Sequence, residues 1–143
     1  RRRGDGVDAR RMSVLIDSNV LIDLVDPASS GRAWSIAQVE RLADNGGVLL
    51  INPIIYAEVS VPFSKPSDVE ALLAPFDREG LPFEAAFAAG KAFVAYRKRG
   101  GARTSPLPDF FIGAHALVRG YLLLTRDASR YRTYFPEVEL IAP

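Results

Sequence analysis

The sequence predicts an α/β protein: a three-layer α/β/α sandwich around a central parallel sheet of four to five strands. Three observations carry that expectation. The short apolar runs are continuous rather than alternating, as in strands buried on both faces. Most are separated by stretches long enough for the helical crossover that parallel neighbours need. Helix-starting and helix-stopping residues punctuate those stretches.

In chain order, residues 14–16 are the first strand, ending at Asp17. Ser18 or Asn19 is expected to cap a helix to about residue 25, stopped by Asp26 and Pro27. A second helix over 32–43 closes at Asn45, Gly46 and Gly47, and residues 48–51 return as a strand. Asn52 followed by Pro53 is an N-cap and N1 pair, opening a helix that Pro62 ends. Pro66, Ser67 and Asp68 open another, which stops near Pro75, and a weak strand is expected at 81–83 after the turn at Gly80. An Ala-rich helix over 84–99 stops at Gly100 and Gly101. Pro106 and Pro108 then start a helix over 109–119, stopped by Gly120. Residues 121–124 and 138–141 are the remaining strands.

A chain of 143 residues with 48% hydrophobic side chains supports one core and one domain, expected at 12–143. Residues 1–11 read as a disordered leader or an extension added in cloning. The chain has no cysteine, which excludes disulfides, thiolate metal sites and thiol nucleophiles. No apolar run approaches the roughly 20 residues of a membrane span, and nothing resembles an export signal, so a cytoplasmic protein with no membrane partner is expected. The net charge of +1 is a sum of unlike parts. Residues 1–11 hold five Arg and two Asp, leaving 13 basic and 15 acidic residues in 12–143, a net of −2.

Four carboxylates are expected to meet. Ligands of open parallel sheets bind beyond the carboxyl ends of the strands. Asp17 follows the first strand there, and Asp127 follows the strand at 121–124. Asp109 lies in the first turn of the helix that feeds that strand, so it returns to the same edge. Glu58 lies about five residues into the helix leaving the second strand, roughly 8 Å of travel. Taken singly, Asp17 and Asp127 are ordinary loop or cap residues, and Asp109 suits a helix N-terminus. Glu58 stands in the apolar run Ile54, Ile55, Tyr56, Ala57, Glu58, Val59, where an unpaired buried charge is expensive. Four separate elements each bring one acid to one place, and that convergence favours a site. Clustered carboxylates with no adjacent lysine call for a divalent cation, and oxygen donors without Cys or paired His select Mg2+, or Mn2+, over zinc. Metal-activated water beside a held phosphoryl oxygen implies phosphodiester hydrolysis.

At these residues the sequence resembles the PIN-domain ribonucleases, and among them the VapC toxins of bacterial toxin–antitoxin pairs. The matching segments are LIDSNVLID at 15–23, YAEVS at 56–60, LPDFFIGAHAL at 107–117 and TRDASRYRTYFPEVELIAP at 125–143. The resemblance implies that Asp17, Glu58, Asp109 and Asp127 form an acidic Mg2+ quartet. It makes Asn19 and Thr125 polar neighbours that orient carboxylates or water, and Ser18 the small residue beside the first Asp. It further implies cleavage of a structured RNA (tRNA or rRNA), silencing by a cognate VapB-type antitoxin, and a homodimer. Residues 32–46 and 62–80 match no family motif and are expected to form the variable region that receives the antitoxin.

Basic residues flank this site. Arg97, Lys98, Arg99 and Arg103 precede Asp109, and Arg126, Arg130 and Arg132 surround Asp127. The first group suits a helix C-terminus, and both groups stand where an RNA backbone needs counter-charge. The only histidine, His115, points about 120° away from Asp109 on their common helix and reads as a packing or surface residue. Two other readings stay open: a PIN-fold RNase outside a toxin–antitoxin pair, and a receiver-like signalling domain. The latter needs a lysine at a strand end, which Lys65, Lys91 and Lys98 do not supply.

Overall fold

A computed structural model describes residues 12–143. Its five strands are β1 (Ser13–Ile16), β2 (Val48–Ile51), β3 (Asp77–Arg78), β4 (Leu122–Leu124) and β5 (Leu140–Ile141). They form one sheet in the order β3-β2-β1-β4-β5, parallel throughout. Seven helices connect them: α1 (Ser18–Val25), α2 (Arg32–Asp44), α3 (Pro53–Ser60), α4 (Pro66–Leu73), α5 (Phe83–Lys98), α6 (Pro108–Arg119) and α7 (Ser129–Tyr134). The sheet grows one way through β2 and β3, then the other way through β4 and β5. Right-handed crossovers therefore place α1–α4 on one face and α5–α7 on the other, the expected three layers.

The central strand explains the order. Val14, Leu15 and Ile16 are wholly buried, and β1 alone is flanked by β2 on one side and β4 on the other. Ile16 is level with Leu124, and the Asp17 N–H donates to the Leu124 carbonyl at 2.9 Å. Asp17 and Thr125 thus leave the sheet side by side, where the winding direction reverses. Crevices form at such a switch point. Asn52 caps α3 as the sequence suggests, its Oδ1 accepting from the Ile55 N–H at 2.9 Å with Pro53 in the first turn. Gly120 ends α6 in the left-handed region (φ 71°), where a side chain would be strained.

Four details differ from the sequence reading. The cap of α1 is Asp17, whose Oδ1 accepts from the Ser18 N–H at 2.8 Å, instead of Ser18 or Asn19. The third strand is Asp77–Arg78 rather than 81–83, because ladder pairing of Leu50 with Asp77 and Ile51 with Arg78 selects it, with no apolar run to mark it. The last strand narrows to Leu140–Ile141, and α7 is a helix the sequence did not announce. The leader at 1–11 lies outside the described residues. Among the described residues no helix is long and apolar enough to cross a membrane.

Candidate active site

Asp17 is 3% exposed, and both of its oxygens are engaged. Oδ1 accepts from the Ser18 N–H. Oδ2 accepts from Thr125 Oγ1 at 2.8 Å and Tyr131 Oη at 2.9 Å, with Asn19 Nδ2 at 3.4 Å. Asn19 reaches across the switch point: its Nδ2 donates to Thr125 Oγ1 at 3.3 Å, and its Oδ1 accepts from the Arg126 N–H at 3.1 Å. These hydrogen bonds tie the start of α1 to the segment after β4. Glu58 projects from α3 onto Ser18, whose Oγ donates to Glu58 Oε1 at 2.8 Å. Asp109 occupies the first turn of α6, and Asp127 lies exposed after β4 with its N–H on Thr125 Oγ1 at 3.0 Å.

The acids feel one another. Burial raises Asp17 above the usual carboxylate range, hydrogen bonds from Thr125, Tyr131 and Ser18 oppose the rise, and the charge of Glu58 adds to it. Burial also raises Glu58, with Asp109 contributing repulsion. Asp109 is raised by burial and then by Asp17 and Asp127, against the pull of Arg130. Three carboxyls held up by desolvation and mutual repulsion define a pocket short of positive charge. Among the described residues, the one cation in ion-pair contact with any of the four is Arg130, whose Nε is 3.4 Å from Asp109 Oδ2. Its guanidinium rests on Tyr96 and Phe110, 5.6 and 5.8 Å from the ring centroids.

This donor set fits a hard divalent cation: all oxygen, clustered, and under-neutralised. No three Asp, Glu or His side chains among the described residues already surround one point as ligands would. Convergence on an ion would therefore require side-chain adjustment, with Arg130 now supplying the positive charge beside Asp109.

The basic residues part ways. Arg130 stands at the rim of the acids. Arg126 turns away from them to form a two-point ion pair with Asp23, which also accepts Ser29 Oγ and Ser35 Oγ, each at 2.6 Å. The Arg126 side chain covers Gly31 so closely that a Cβ there would collide with its guanidinium. An RNA-contact role for Arg126 gives way to an anchoring one. Arg97 Nη1 donates to the carbonyls of Gly101 and Arg103 at 3.2 and 2.8 Å, and Arg99 lies over the Tyr134 ring. Lys98 and Arg103 are exposed. His115 is fully buried, with Nδ1 2.9 Å from Asn52 Nδ2, in keeping with a packing role.

Two participants escaped the sequence reading. Tyr131 has its hydroxyl on Asp17, and its only sequence signal is its place in the terminal TRDASRY segment. Asp23 is 2% exposed six residues after Asp17, inside a helix whose other buried side chains are mostly small or apolar; an acid there demands a cation.

A carboxylate cluster at the switch point of an open parallel sheet, rimmed by arginine, defines a class of α/β/α proteins suited to metal-assisted phosphoryl chemistry. The PIN domain family model matches residues 14–136, from β1 past the end of α7 and through all four acids. The chain belongs to the PIN domain family, a family of nucleases. Among solved structures, VapBC2 from Rickettsia felis, bound to a promoter DNA fragment, is similar at 16% identity and a TM-score of 0.69, covering 91% of this chain and 98% of that one. VapBC-1 from nontypeable Haemophilus influenzae gives 18% identity and a TM-score of 0.68, with 90% and 96% covered. A toxin–antitoxin complex from Klebsiella pneumoniae gives 23% identity and a TM-score of 0.62, with 88% and 95% covered. At these identities the likeness is one of fold. No curated protein matches the sequence significantly.

Proposed function

We propose that this chain is a Mg2+-dependent endoribonuclease, the VapC-type toxin of a type II toxin–antitoxin system acting on a structured RNA such as tRNA or rRNA. The observation that carries the reading is that Asp17, Glu58 and Asp109 come from separate elements to one edge of the sheet, with Ser18 bridging Asp17 and Glu58, and with Arg130 the one cation in contact among the described residues. The chemistry that a bound Mg2+, or Mn2+ in its place, brings is activation of water and neutralisation of charge on the phosphoryl oxygens. Asp17, Glu58, Asp109 and Asp127 are the residues that would hold it.

The rest of the work falls to the chain. Ser18 steadies Glu58, and Thr125 with Asn19 fixes Asp17 relative to the segment bearing Asp127. Arg130 is placed to leave Asp109 and meet a phosphate of the RNA. Arg97, Lys98, Arg99 and Arg103, at and after the end of α5, are the further positive charges proposed to meet the RNA backbone. A VapB-type antitoxin and a second copy of the chain are the proposed protein partners. The apolar side chains left bare on α5, Phe83 at 92% and Phe87 at 70% exposure, support a covered surface there.

The test is cleavage of purified tRNA and rRNA with mapping of the new 5′ ends. One dominant Mg2+-dependent end is expected, lost in folded Asp17→Asn, Glu58→Gln and Asp109→Asn variants. Full cleavage in excess chelator, or by the Glu58→Gln protein, would overturn the proposal.

A further inference from the structure

Tyr131 is the side chain of α7 that leaves the surface: 1% exposed, it ends in a hydroxyl 2.9 Å from Asp17 Oδ2. Thr125 Oγ1 approaches the same oxygen at 2.8 Å. A carboxylate oxygen offers about two in-plane acceptor directions, so two hydroxyl protons occupy Oδ2. Oδ1 carries the Ser18 N–H alone, at 2.8 Å, and keeps a direction free. The asymmetry is built by Thr125, which follows β4, and by the hydroxyl of Tyr131 on α7, whose ring a phenylalanine would replace equally well.

We infer that Tyr131 is a positioning residue which, with Thr125, commits Oδ2 of Asp17 to the protein and leaves Oδ1 as the one atom that Asp17 presents to a divalent cation. The inference rests on the metal-nuclease reading above. The hydroxyl's one proton goes to Asp17, the acid that follows β1. A small cation such as Mg2+ tolerates little departure from octahedral geometry, so fixing one ligand as monodentate sets part of the site before the ion arrives.

The experiment is Mn2+ binding to the purified full chain, followed by calorimetry and by the spin-resonance signal of free Mn2+. It compares wild type with Tyr131→Phe, Thr125→Val and, as a control on the same helix, Tyr134→Phe. Melting curves and circular dichroism establish the fold of each. Tyr131→Phe should weaken Mn2+ binding on the order of 10–100-fold, as loss of an outer hydrogen-bond partner does. With RNA as substrate it should lower kcat at fixed Mn2+ while leaving KM unchanged, and added Mn2+ should restore the rate. Thr125→Val should weaken binding in the same direction, and Tyr134→Phe should bind as wild type. An Mn2+ affinity of Tyr131→Phe within about twofold of wild type overturns the inference while leaving the nuclease reading standing, as does an equal loss in Tyr134→Phe. A wild-type chain that binds no Mn2+ overturns both. If Tyr131→Phe does not fold, Thr125→Val decides on the same criterion.

Discussion

Replacing Asp23 by asparagine should destabilise the fold strongly at neutral pH and much less in acid. Asp23 is 2% exposed, and each of its oxygens receives two donors: Ser29 Oγ and Arg126 Nη2 on Oδ1, Ser35 Oγ and Arg126 Nε on Oδ2. Whichever way an amide is turned, its NH2 faces two of those donors, and the charge that balances Arg126 is gone. Breaking a buried pair on one side costs about 3–5 kcal/mol. The Arg126 side chain keeps 32% of its surface in water, so the lower end applies, about 3 kcal/mol. For a chain of this size that is a fall in Tm of about 10 °C.

The pH dependence has a definite sign. Burial pushes Asp23 up, but the hydrogen bonds from Arg126, Ser29 and Ser35 and the Arg126 charge overcome it, and its carboxyl sits below the ordinary range. A depressed acid contributes stability that is fully present above its unfolded value, about 3.9, and is lost as pH falls through the folded one. The gap between wild type and Asp23→Asn should be full at pH 7 and close progressively below about pH 4. Thermal or urea unfolding at pH 7 and pH 3 measures it. A fall under about 3 °C at pH 7, or an undiminished gap at pH 3, would refute the reasoning.

The acids of the pocket should behave oppositely. Glu58→Gln keeps the Ser18 hydrogen bond on one oxygen and removes a charge that the fold holds above its usual range. It should therefore raise Tm by a few degrees at pH 7–8, about 0.5–2 kcal/mol, with the gain vanishing below about pH 4. No gain at pH 8 would count against a charge-crowded site. Mg2+ or Mn2+ at about 100 times Kd should stabilise the wild-type chain by about 2.7 kcal/mol, reversed by chelator and reduced in Glu58→Gln; melting with and without metal checks it. Arg97→Glu and Arg99→Glu should weaken RNA binding and flatten its salt dependence by about one unit of slope for each phosphate no longer neutralised, measured by titration at several salt concentrations. Arg126→Met should lower Tm and leave that slope unchanged, because its guanidinium is held by Asp23.

Legibility followed how strongly each element was fixed by its own residues. β1, β2 and β4 are continuous apolar runs because both faces are covered, and residue type alone marks them. β3 is two charged, exposed residues at the sheet's edge, and only the neighbouring β2 ladder makes it a strand. α7 has six residues, too few turns for a 3.6-residue period to stand out. Asp17, Asp109 and Asp127 could be placed at one edge for a topological reason: a residue just past a parallel strand, or in the first turn of a helix returning to one, has its edge of the sheet decided by chain direction alone, whereas Glu58, in the second turn of α3, stood out by its charge in an apolar run.

Arg126 shows where nearness in sequence fails as a guide to charge. It adjoins Asp127 and lies 103 residues from Asp23, yet it pairs with Asp23. The segment bends at Arg126, and the Asp127 N–H closes a turn onto Thr125 Oγ1 at 3.0 Å. Thr125, which follows β4, directs its hydroxyl to Asp17, while the Arg126 side chain reaches Asp23 of α1. The turn leaves Asp127 near enough to the acids for its charge to act on Asp109. The TRD tripeptide therefore divides its labour: Thr125 and Asp127 lie with the acid cluster, and the central arginine clamps the segment that carries them. The buried Asp23, which needs a cation, decides where Arg126 goes, and its sequence neighbours do not.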